Sequence, residues 1–294
     1  MDRTLLLLGR EGQVARALRE QAGAAGWAVQ AVGRAQADLA TAELGPLLAR
    51  AAPALVVNAA AYTAVDRAES EPQAAEALNA DLPGRAARAC AEREVPFVHI
   101  STDYVFGGGD GAPYREDDPV SALGVYGASK ARGEAAVAAA GGRAAVARTS
   151  WVYGAEGANF VRTMLRLAAE RDELRVVDDQ RGRPTWSHDV AAACLALGEA
   201  LVAGRPEAAG VFHAAGPEEM SWADLAEAAL AESARRGGPT ARVARITTAE
   251  FPTPAPRPRD SRLDISKLQA TTPWRPTPPA ESLSATVEGV LQAG

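Results

Sequence analysis

Short apolar runs alternate with longer amphipathic stretches along the first two thirds of the chain. The runs are apolar throughout, which is typical of strands that a parallel sheet buries on both faces. They predict strands at residues 4–8, 28–32, 55–58, 95–101 and 144–148, and the stretches between them predict helices at 12–25, 44–50, 72–92 and 124–140. Strands separated by helices favour right-handed crossovers. The sequence therefore predicts an α/β fold with a Rossmann-type, doubly wound parallel sheet.

The pattern becomes less regular after residue 150. It predicts helices at 159–171, 187–203 and 222–235, and Pro-rich stretches at 252–258 and 273–279 predict extended chain around a short helical piece at 265–270. We interpret this part as a smaller C-terminal substrate-binding region. The predicted division is a dinucleotide-binding domain at 1–150, to which 187–215 return, and a substrate-binding region formed by 151–186 and 216–294.

Charge and composition limit the classes of partner. The net charge is −6 and the pI is near 5.3, with dispersed basic residues, which argues against nucleic acid or an anionic membrane as the main partner. The apolar run at residues 5–8 is too short for a signal peptide or a membrane span, so we expect a cytoplasmic protein. Cys90 and Cys194 lack CxxC partners and the three histidines are far apart, so we expect buried thiols and no metal site.

A glycine turn follows the first predicted strand and opens the first helix. Gly9 permits a tight turn, and Gly12 lets backbone N–H groups approach a pyrophosphate at the helix N-terminus. Ala15, where a third glycine could stand, is small enough for close packing of helix on strand. The motif is weak alone, but its place in the first βαβ unit predicts cofactor binding by four residues of the turn: Gly9, Gly12, Gln13 and Val14.

The end of the second predicted strand bears on the choice of cofactor. An NAD site usually carries an acidic residue there for the ribose 2′-hydroxyl, whereas this chain has Arg34, which could pair with a 2′-phosphate. NADPH is therefore favoured, with NADH left open. Asp38 and Leu39 are predicted to line the adenine pocket.

Three further segments are expected at the carboxyl edge of the sheet. Small residues after the third strand let the chain pass close to a cofactor, and four of them are candidate cofactor contacts: Ala59, Ala60, Ala61 and Thr63. Residues 101–106 place hydroxyl groups after the strand at 95–101, where loop residues tend to be functional. Residues 126–130 begin the helix at 124–140.

Tyr126 and Lys130 lie four residues apart and share a helix face. Ketone reduction needs a hydride and a proton, and a phenol beside a cation can give that proton. We therefore expect Lys130 to make Tyr126 a better acid near neutral pH and to hold the nicotinamide ribose. Thr102 is placed to hydrogen-bond the carbonyl oxygen.

Together these motifs make the chain similar to the extended short-chain dehydrogenase/reductases, and among them it resembles the dTDP-4-dehydrorhamnose reductases over nearly its whole length. The resemblance implies that NADPH reduces the 4-keto group of dTDP-4-dehydro-6-deoxy-L-mannose to give dTDP-L-rhamnose. The matching stretches are residues 57–61, 63–66, 68–72, 101–106, 125–127, 148–153, 159–160, 163–167, 179–180, 184–185 and 257–263.

The resemblance also implies roles for individual residues. Thr102, Tyr126 and Lys130 match the catalytic positions. Residues matched to the surroundings of cofactor and sugar are Thr63, Asp103, Tyr104, Val105, Trp151 and Asn159. Arg183 and Arg259 are the candidates for the dTDP pyrophosphate, because arginine binds such groups in bidentate fashion.

Two departures from the family pattern affect the expected assembly and site. Asp260 stands where the family often has Asn, so an amide donor is lost. Ala17 stands where some members carry a Glu that joins a magnesium-bridged dimer, with Glu20 one turn later as a near match. We expect a monomer or weak homodimer without metal.

Three alternatives remain open on the sequence. The nearest is a reductase of another dTDP-4-keto-6-deoxysugar, because stereochemistry depends on which sugar face meets the hydride. The second is a non-catalytic regulatory subunit like that of methionine adenosyltransferase, against which the intact Thr102, Tyr126 and Lys130 set argues. The third, an epimerase or dehydratase, is disfavoured because dehydratases carry an Asp-Glu pair after the catalytic Thr, whereas Asp103 is followed here by Tyr104.

Overall fold

A computed structural model describes residues 3–109 and 111–293. The strands are β1 (Arg3–Leu8), β2 (Trp27–Val32), β3 (Leu55–Asn58), β4 (Phe97–Thr102), β5 (Ala144–Thr149), β6 (Val152–Tyr153), β7 (Glu173–Val177), β8 (Arg181–Gly182), β9 (Thr185–Trp186), β10 (Gly210–His213), β11 (Met220–Ser221) and β12 (Arg242–Ile246). The helices are α1 (Gln13–Ala24), α2 (Leu44–Ala51), α3 (Val65–Ala68), α4 (Pro72–Glu76), α5 (Leu82–Ala91), α6 (Val125–Ala139), α7 (Phe160–Ala168), α8 (Ser187–Val202), α9 (Trp222–Arg235), α10 (Ser266–Thr271) and α11 (Pro279–Ala293).

The central sheet has six parallel strands in the order β2-β1-β3-β4-β5-β10, which confirms the predicted α/β class. The chain moves from β1 to β2 on one side and then returns to place β3 on the other side of β1. The strand order therefore reverses between β1 and β3. In doubly wound sheets this reversal opens a crevice beyond the carboxyl ends of the strands, where ligands bind.

Strand register brings the predicted site segments to one edge. Leu8 pairs with Asn58, Asn58 with His99, and Thr102 with Thr149. The glycine turn, the loop after β3, the loop after β4 and the segment after β5 consequently leave the sheet side by side.

Helices cover both faces of the sheet. On one face α1 and α8 pack together around apolar side chains such as Leu18 and Leu197, and on the other α2, α5 and α6 bury residues such as Leu48 and Leu82. Helix α8 and strand β10 come after residue 150 in the chain but belong to the sheet and its helices. Both are rich in small and apolar residues, so they can be buried there.

A separate apolar cluster lies in the C-terminal part of the chain. Helices α7, α9 and α11 enclose it together with the parallel pair β7–β12. Leu165, Leu225 and Val287 are among its buried members. This smaller core supports the residues that face the sheet edge from the opposite side.

Some elements differ from the sequence predictions. The single helix predicted at 72–92 is interrupted by a π-helical turn at Ala77–Asp81, and the extended chain predicted at 273–279 leads at Pro279 into α11, which the pattern did not indicate. Strands β7, β10 and β12 were also missed, as were the two-residue strands β6, β8, β9 and β11. Within the described ranges, no helix combines the length and apolar character needed to cross a membrane.

Candidate active site

A cleft of about 570 Å³ opens at the carboxyl edge of β1, β3, β4 and β5. Twelve residues that the sequence predicted for cofactor, catalysis or substrate line it: Gly12, Gln13, Val14, Ala59, Ala61, Thr63, Thr102, Asp103, Tyr104, Tyr126, Lys130 and Trp151. The strand register thus brings together segments that lie up to 139 residues apart in the chain.

The glycine turn fits a dinucleotide. Gly9 has φ +105°, and a Cβ there would lie 2.9 Å from the backbone nitrogen of Ala60, so only glycine fits. Gly12 caps α1 without a side-chain hydrogen bond, and nothing lies within 4 Å of where its Cβ would be. The first N–H groups of α1 therefore face open space in the cleft, as a pyrophosphate requires.

Two buried hydroxyl groups in the cleft lining lack a hydrogen-bond partner among the described residues. They belong to Ser101 on β4 and Thr149 on β5. Buried polar atoms are usually paired, so unpaired ones in a cleft fit a site built for a polar ligand.

Asn79 fixes the loop after β3 against the catalytic helix. Its Oδ1 accepts from the backbone N–H of Tyr62 (2.8 Å), and its Nδ2 donates to the Tyr62 carbonyl (3.0 Å) and to Oγ of Ser129 (3.1 Å). The π-helical turn at Ala77–Asp81 presents this side chain. Sequence reasoning missed Asn79, because hydrophobic periodicity contains no signal for a π turn.

The loop after β4 is held by a buried carboxylate. Asp103 accepts from Oγ1 of Thr102 (3.1 Å) and from Oγ of Ser261 (2.5 Å), which ties the loop after β4 to the C-terminal tail. Burial raises the pKa of Asp103 to about 7, against the opposing effect of both hydroxyl donors. Ser261 was not singled out from the sequence, although it lies in a stretch that carries the family resemblance.

Tyr126 lies in the cleft with its ring edge-on to Tyr104 at 5.9 Å. Burial raises the pKa of Tyr126 to about 12, a hydrogen bond with Thr102 opposes this rise, and the charge of Asp103 adds to it. The pKa of Tyr126 is thus raised, contrary to the expectation that Lys130 makes this phenol a better acid. Desolvation favours the neutral phenol, which is the form that can donate a proton.

Lys130 is almost completely buried on the same helix. Its Nζ donates to the carbonyl of Ile100 (2.5 Å) and lies 3.4 Å from Nε2 of His99. Burial lowers the pKa of Lys130 to about 8, while the charge of Glu134 acts in the opposite direction.

Three aromatic side chains face these groups from the opposite side. Trp151 adopts φ +47°, a strained conformation for a bulky residue, and its ring lies over Gly182. Trp222 stacks on Trp151 with ring centroids 3.6 Å apart, and Phe160 packs beside it. Sequence reasoning found Trp151 and missed Trp222, whose position at the start of α9 reads as an ordinary helix residue.

A second cavity of about 730 Å³ adjoins the cleft. Phe160 and Trp222 line both spaces. Three arginines also line the second cavity, Arg171, Arg175 and Arg257, and the last of these is ion-paired with Asp66 at 2.9 Å.

Comparison with known proteins decides the family. A family model described as RmlD substrate binding domain matches residues 3–291. The chain belongs to this family. It is similar to a curated dTDP-4-dehydrorhamnose reductase of Sinorhizobium fredii, with 43% identity over 269 residues that cover 91% of this chain and 90% of the relative.

Solved structures agree with this assignment. The dTDP-4-dehydrorhamnose reductase of Bacillus anthracis in complex with NADP has a TM-score of 0.88 at 28% identity and covers 100% of both chains. The enzyme of the same name from Clostridium acetobutylicum has a TM-score of 0.89 at 34% identity, with 98% of this chain and 99% of that chain covered.

In this family member, nine of the predicted site residues lie outside the lining of the cleft. They are Gly9, Arg34, Asp38, Leu39, Ala60, Val105, Asn159, Arg183 and Arg259. Gly9 and Ala60 lie beneath the cleft and pack against each other. Arg34 and Asp38 are exposed in the loop after β2. The last residue of β2 pairs with the last residue of β1, so this loop begins beside the glycine turn.

Three of these nine residues have structural roles. Leu39 and Val105 are buried core residues. Asn159 caps α7, because its Oδ1 accepts from the backbone N–H of Arg162 (3.1 Å) and its Nδ2 donates to the carbonyl of Gly154 (2.8 Å). Its side chain is used within the fold.

The two arginines predicted for the pyrophosphate lie elsewhere. Arg183 is half-buried, its Nε is unpaired among the described atoms, and burial lowers its pKa against the charges of Asp264 and Glu219. Arg259 is exposed, and its carbonyl accepts from the backbone N–H of Arg181.

The two departures from the family pattern also have structural explanations. The Asp260 carboxylate accepts from Nε of Arg262 (2.9 Å), so its charge serves an ion pair within the tail. Ala17 is buried in the core on α1, and the exposed Glu20 lies 3.4 Å from Nε2 of His188.

Proposed function

We propose that this protein uses NADPH to reduce the 4-keto group of dTDP-4-dehydro-6-deoxy-L-mannose, giving dTDP-L-rhamnose. The observation that carries the proposal is the convergence of Thr102, Tyr126 and Lys130 in one cleft of a chain of this family. Relatives and solved structures named dTDP-4-dehydrorhamnose reductase, one of them in complex with NADP, support it.

The catalytic roles follow from the chemistry of each group. NADPH, when bound, supplies the hydride. Tyr126 donates its phenolic proton to the oxygen that becomes the alcohol. Its raised pKa keeps the phenol protonated before this transfer. Thr102 donates to the carbonyl oxygen and orients it. Lys130 holds the nicotinamide ribose and, when charged, stabilises the phenolate.

The cofactor is held at the reversal of strand order. The N-terminus of α1 at Gly12 and Gln13 would hold the pyrophosphate, and Ala59, Ala61 and Thr63 would contact the rest of the cofactor in the cleft. Arg34, at the carboxyl end of β2, pairs with the 2′-phosphate and favours NADPH over NADH.

The substrate spans the two adjoining spaces. Its sugar lies in the cleft between Tyr126 and Trp151, and its nucleotide occupies the second cavity. Arg171 and Arg175 supply positive charge for the diphosphate, whereas Arg257 is ion-paired with Asp66 at 2.9 Å. Residues 1–150 and 187–215 form the cofactor part, residues 151–186 and 216–294 form the substrate part, and a monomer or weak homodimer suffices for the reaction.

Single-turnover oxidation of NADPH tests this function. The purified protein is mixed with dTDP-4-dehydro-L-rhamnose, absorbance is followed, and the configuration of the product is read by NMR. We expect rapid oxidation and the L-rhamno product. A different epimer would assign the protein to another dTDP-4-keto-6-deoxysugar. Tight NADPH binding without oxidation by any such sugar would support the regulatory alternative instead.

A further inference from the structure

A completely buried histidine lies between the catalytic lysine and the strand that precedes the cofactor loop. Nδ1 of His99 on β4 is 3.1 Å from Nδ2 of Asn58 on β3. Nε2 of the same ring is 3.4 Å from Nζ of Lys130 on α6. The three side chains form a polar line through the layer beneath the cleft.

The orientation of the Asn58 amide sets the tautomer of His99. Oδ1 of Asn58 accepts from the backbone N–H of Ala60 (3.1 Å), so the NH₂ group of the same amide faces the imidazole. Nδ1 of His99 must then carry a lone pair. Burial of the ring holds the pKa of His99 well below its usual range, so the ring is neutral and its single proton is on Nε2.

The N–H at Nε2 consequently faces Nζ of Lys130. An ammonium group has three N–H donors and no lone pair, so a charged Lys130 would set one donor against another. A free amine has two N–H groups and one lone pair. One N–H can donate to the carbonyl of Ile100 (2.5 Å), and the lone pair can accept from His99.

We propose that His99 is a positioning residue for the proposed proton-transfer site: its tautomer, set by Asn58, stabilises the free-amine form of Lys130 in the substrate-free protein. The effect of His99 on Lys130 does not depend on the proposed function. Only the importance of that effect for catalysis rests on the proposed role of Lys130.

The other charged or titratable groups around Lys130 do not provide this effect. Glu134, one turn further along α6, favours the charged amine, and its carboxylate is paired with Arg148 on β5 at 2.7 Å. Tyr126 lies one turn before Lys130, and its raised pKa leaves it neutral. Burial lowers the pKa of Lys130 to about 8, in the same direction as the arrangement of His99.

The consequence is a lysine whose ammonium is a better acid than a surface lysine. A small change in its surroundings then suffices to move Lys130 between its two forms near neutral pH. A ligand that offers hydroxyl oxygens to Nζ favours the ammonium, which is the form that stabilises a phenolate at Tyr126.

The composition of the chain makes this inference directly measurable. Lys130 and Lys267 are its two lysines, so protein labelled with ¹³C at lysine Cε gives two side-chain signals, and Lys267→Arg assigns them. Titration by NMR should give a midpoint for Lys130 well below that of the exposed Lys267. In wild-type protein, ¹⁵N shifts of His99 should show a protonated Nε2 and an unprotonated Nδ1. A proton on Nδ1 would overturn the proposal.

Two variants test the link between His99 and Lys130. His99→Gln places a carboxamide near Nζ whose oxygen can accept from an ammonium, so the Lys130 midpoint should rise by roughly one pH unit or more. In Asn58→Asp the carboxylate accepts a hydrogen bond from an N–H at Nδ1 of His99, which leaves the lone pair on Nε2 facing Lys130, so the midpoint should rise here as well. An unchanged midpoint in either folded variant would contradict the proposal.

Val98→Ala is the matched control. Val98 is a buried neighbour of His99 on β4 and points to the other sheet face, so its truncation loosens the same strand without changing polar groups at Lys130. Its Lys130 midpoint should equal that of the wild type. These titrations need no substrate, so a protein that shows the expected shifts and yet fails to oxidise NADPH would disprove the proposed function alone.

Discussion

The two walls of the cleft are built in different ways. The sheet wall, formed by Thr102, Asp103, Tyr126 and Lys130, belongs to β4, the loop after it and α6, and its polar groups are desolvated. The aromatic wall, formed by Trp151, Phe160 and Trp222, belongs to loops and helix starts of the C-terminal part and is half-buried. Proton transfer needs fixed distances, which a sheet edge supplies. A surface that admits a large substrate needs area and room to adjust, which stacked rings supply.

The pKa values follow the same division. Burial moves the pKa of Asp103 to about 7, that of Lys130 to about 8 and that of Tyr126 to about 12. All three shifts disfavour the charged form and arise from desolvation. The aromatic wall contains no ionisable side chain, so changes there should alter substrate affinity and leave the pH dependence of turnover unchanged.

The largest effect is expected from Tyr126→Phe. Removal of the phenolic hydroxyl deletes the proposed proton donor of the sheet wall and keeps the ring, so kcat should fall by about 10² or more while NADPH binding persists. Stopped-flow oxidation and fluorescence titration with NADPH measure the two quantities. Tyr153→Phe, which removes a buried hydroxyl bonded to Ser282 away from the cleft, is the control and should retain kcat. Full activity in Tyr126→Phe would refute the proton-donor assignment.

Trp222→Ala should break the aromatic wall and leave the sheet wall intact. It removes the ring stacked on Trp151 and the N–H that donates to Oε1 of Gln180 (3.0 Å). We expect KM for the dTDP-sugar to rise roughly fivefold to thirtyfold, since the lost contact is worth about 1–2 kcal/mol, with kcat changed much less. Trp222→Phe keeps an aromatic ring, so its KM should lie between those of the wild type and Trp222→Ala. A loss confined to kcat would show that the walls do not divide binding from chemistry as described.

Much of the fold could be predicted from the sequence because its strands are apolar throughout. The first five strands of the sheet were each predicted to within two residues at either end. Elements of the C-terminal part were harder to find. The pattern of β10 covers only Gly210–His213, and α11 follows prolines that indicate extended chain but also suit the first turn of a helix.

The sheet wall was predictable for the same reason. Its residues directly follow strands or begin a helix, so their positions in the chain determine their positions at the edge. Contacts between distant segments could not be found in this way. Ser261 reaches Asp103 from 158 residues away, and Trp222 reaches Trp151 only because the C-terminal core brings α9 to the cleft. Arg183 and Arg259 lie outside the lining of the cleft, in a short link between strands and in irregular chain, where no hydrophobic periodicity orients a side chain.

Arg34→Ala tests the cofactor side of the sheet edge. Arg34 is exposed, and an exposed ion pair contributes at most about 1 kcal/mol, so the preference for NADPH over NADH should fall roughly fivefold. The ratio of kcat/KM with the two cofactors measures it, and the effect should weaken as salt is added. Arg50→Ala on the exposed side of α2 is the control, and an unchanged ratio in Arg34→Ala would remove this residue from the cofactor site.

Asp103→Asn should change stability more than any other property, and only at higher pH. Burial raises the pKa of Asp103 from 3.8 to about 7. Between these two pH values the folded protein therefore keeps a proton on Asp103 that the unfolded chain releases. The contribution of the protonated carboxyl to stability is complete below pH 3.8 and is lost as the pH rises toward about 7. Asn has no titratable proton at this position. The free energy of unfolding of the variant should therefore rise relative to that of the wild type by about 1 kcal/mol or more between pH 5 and pH 8.

Urea unfolding of both proteins at the two pH values measures this difference. The Asn side chain retains an oxygen for Oγ1 of Thr102, and Oγ of Ser261 can turn to accept from the amide, so the tie between β4 and the tail is kept. Asp117→Asn, at an exposed position, is the control and should show the same difference from wild type at both pH values. If Asp103→Asn also showed no change with pH, desolvation would not govern the sheet wall, and the contrast between the walls would reduce to their shapes.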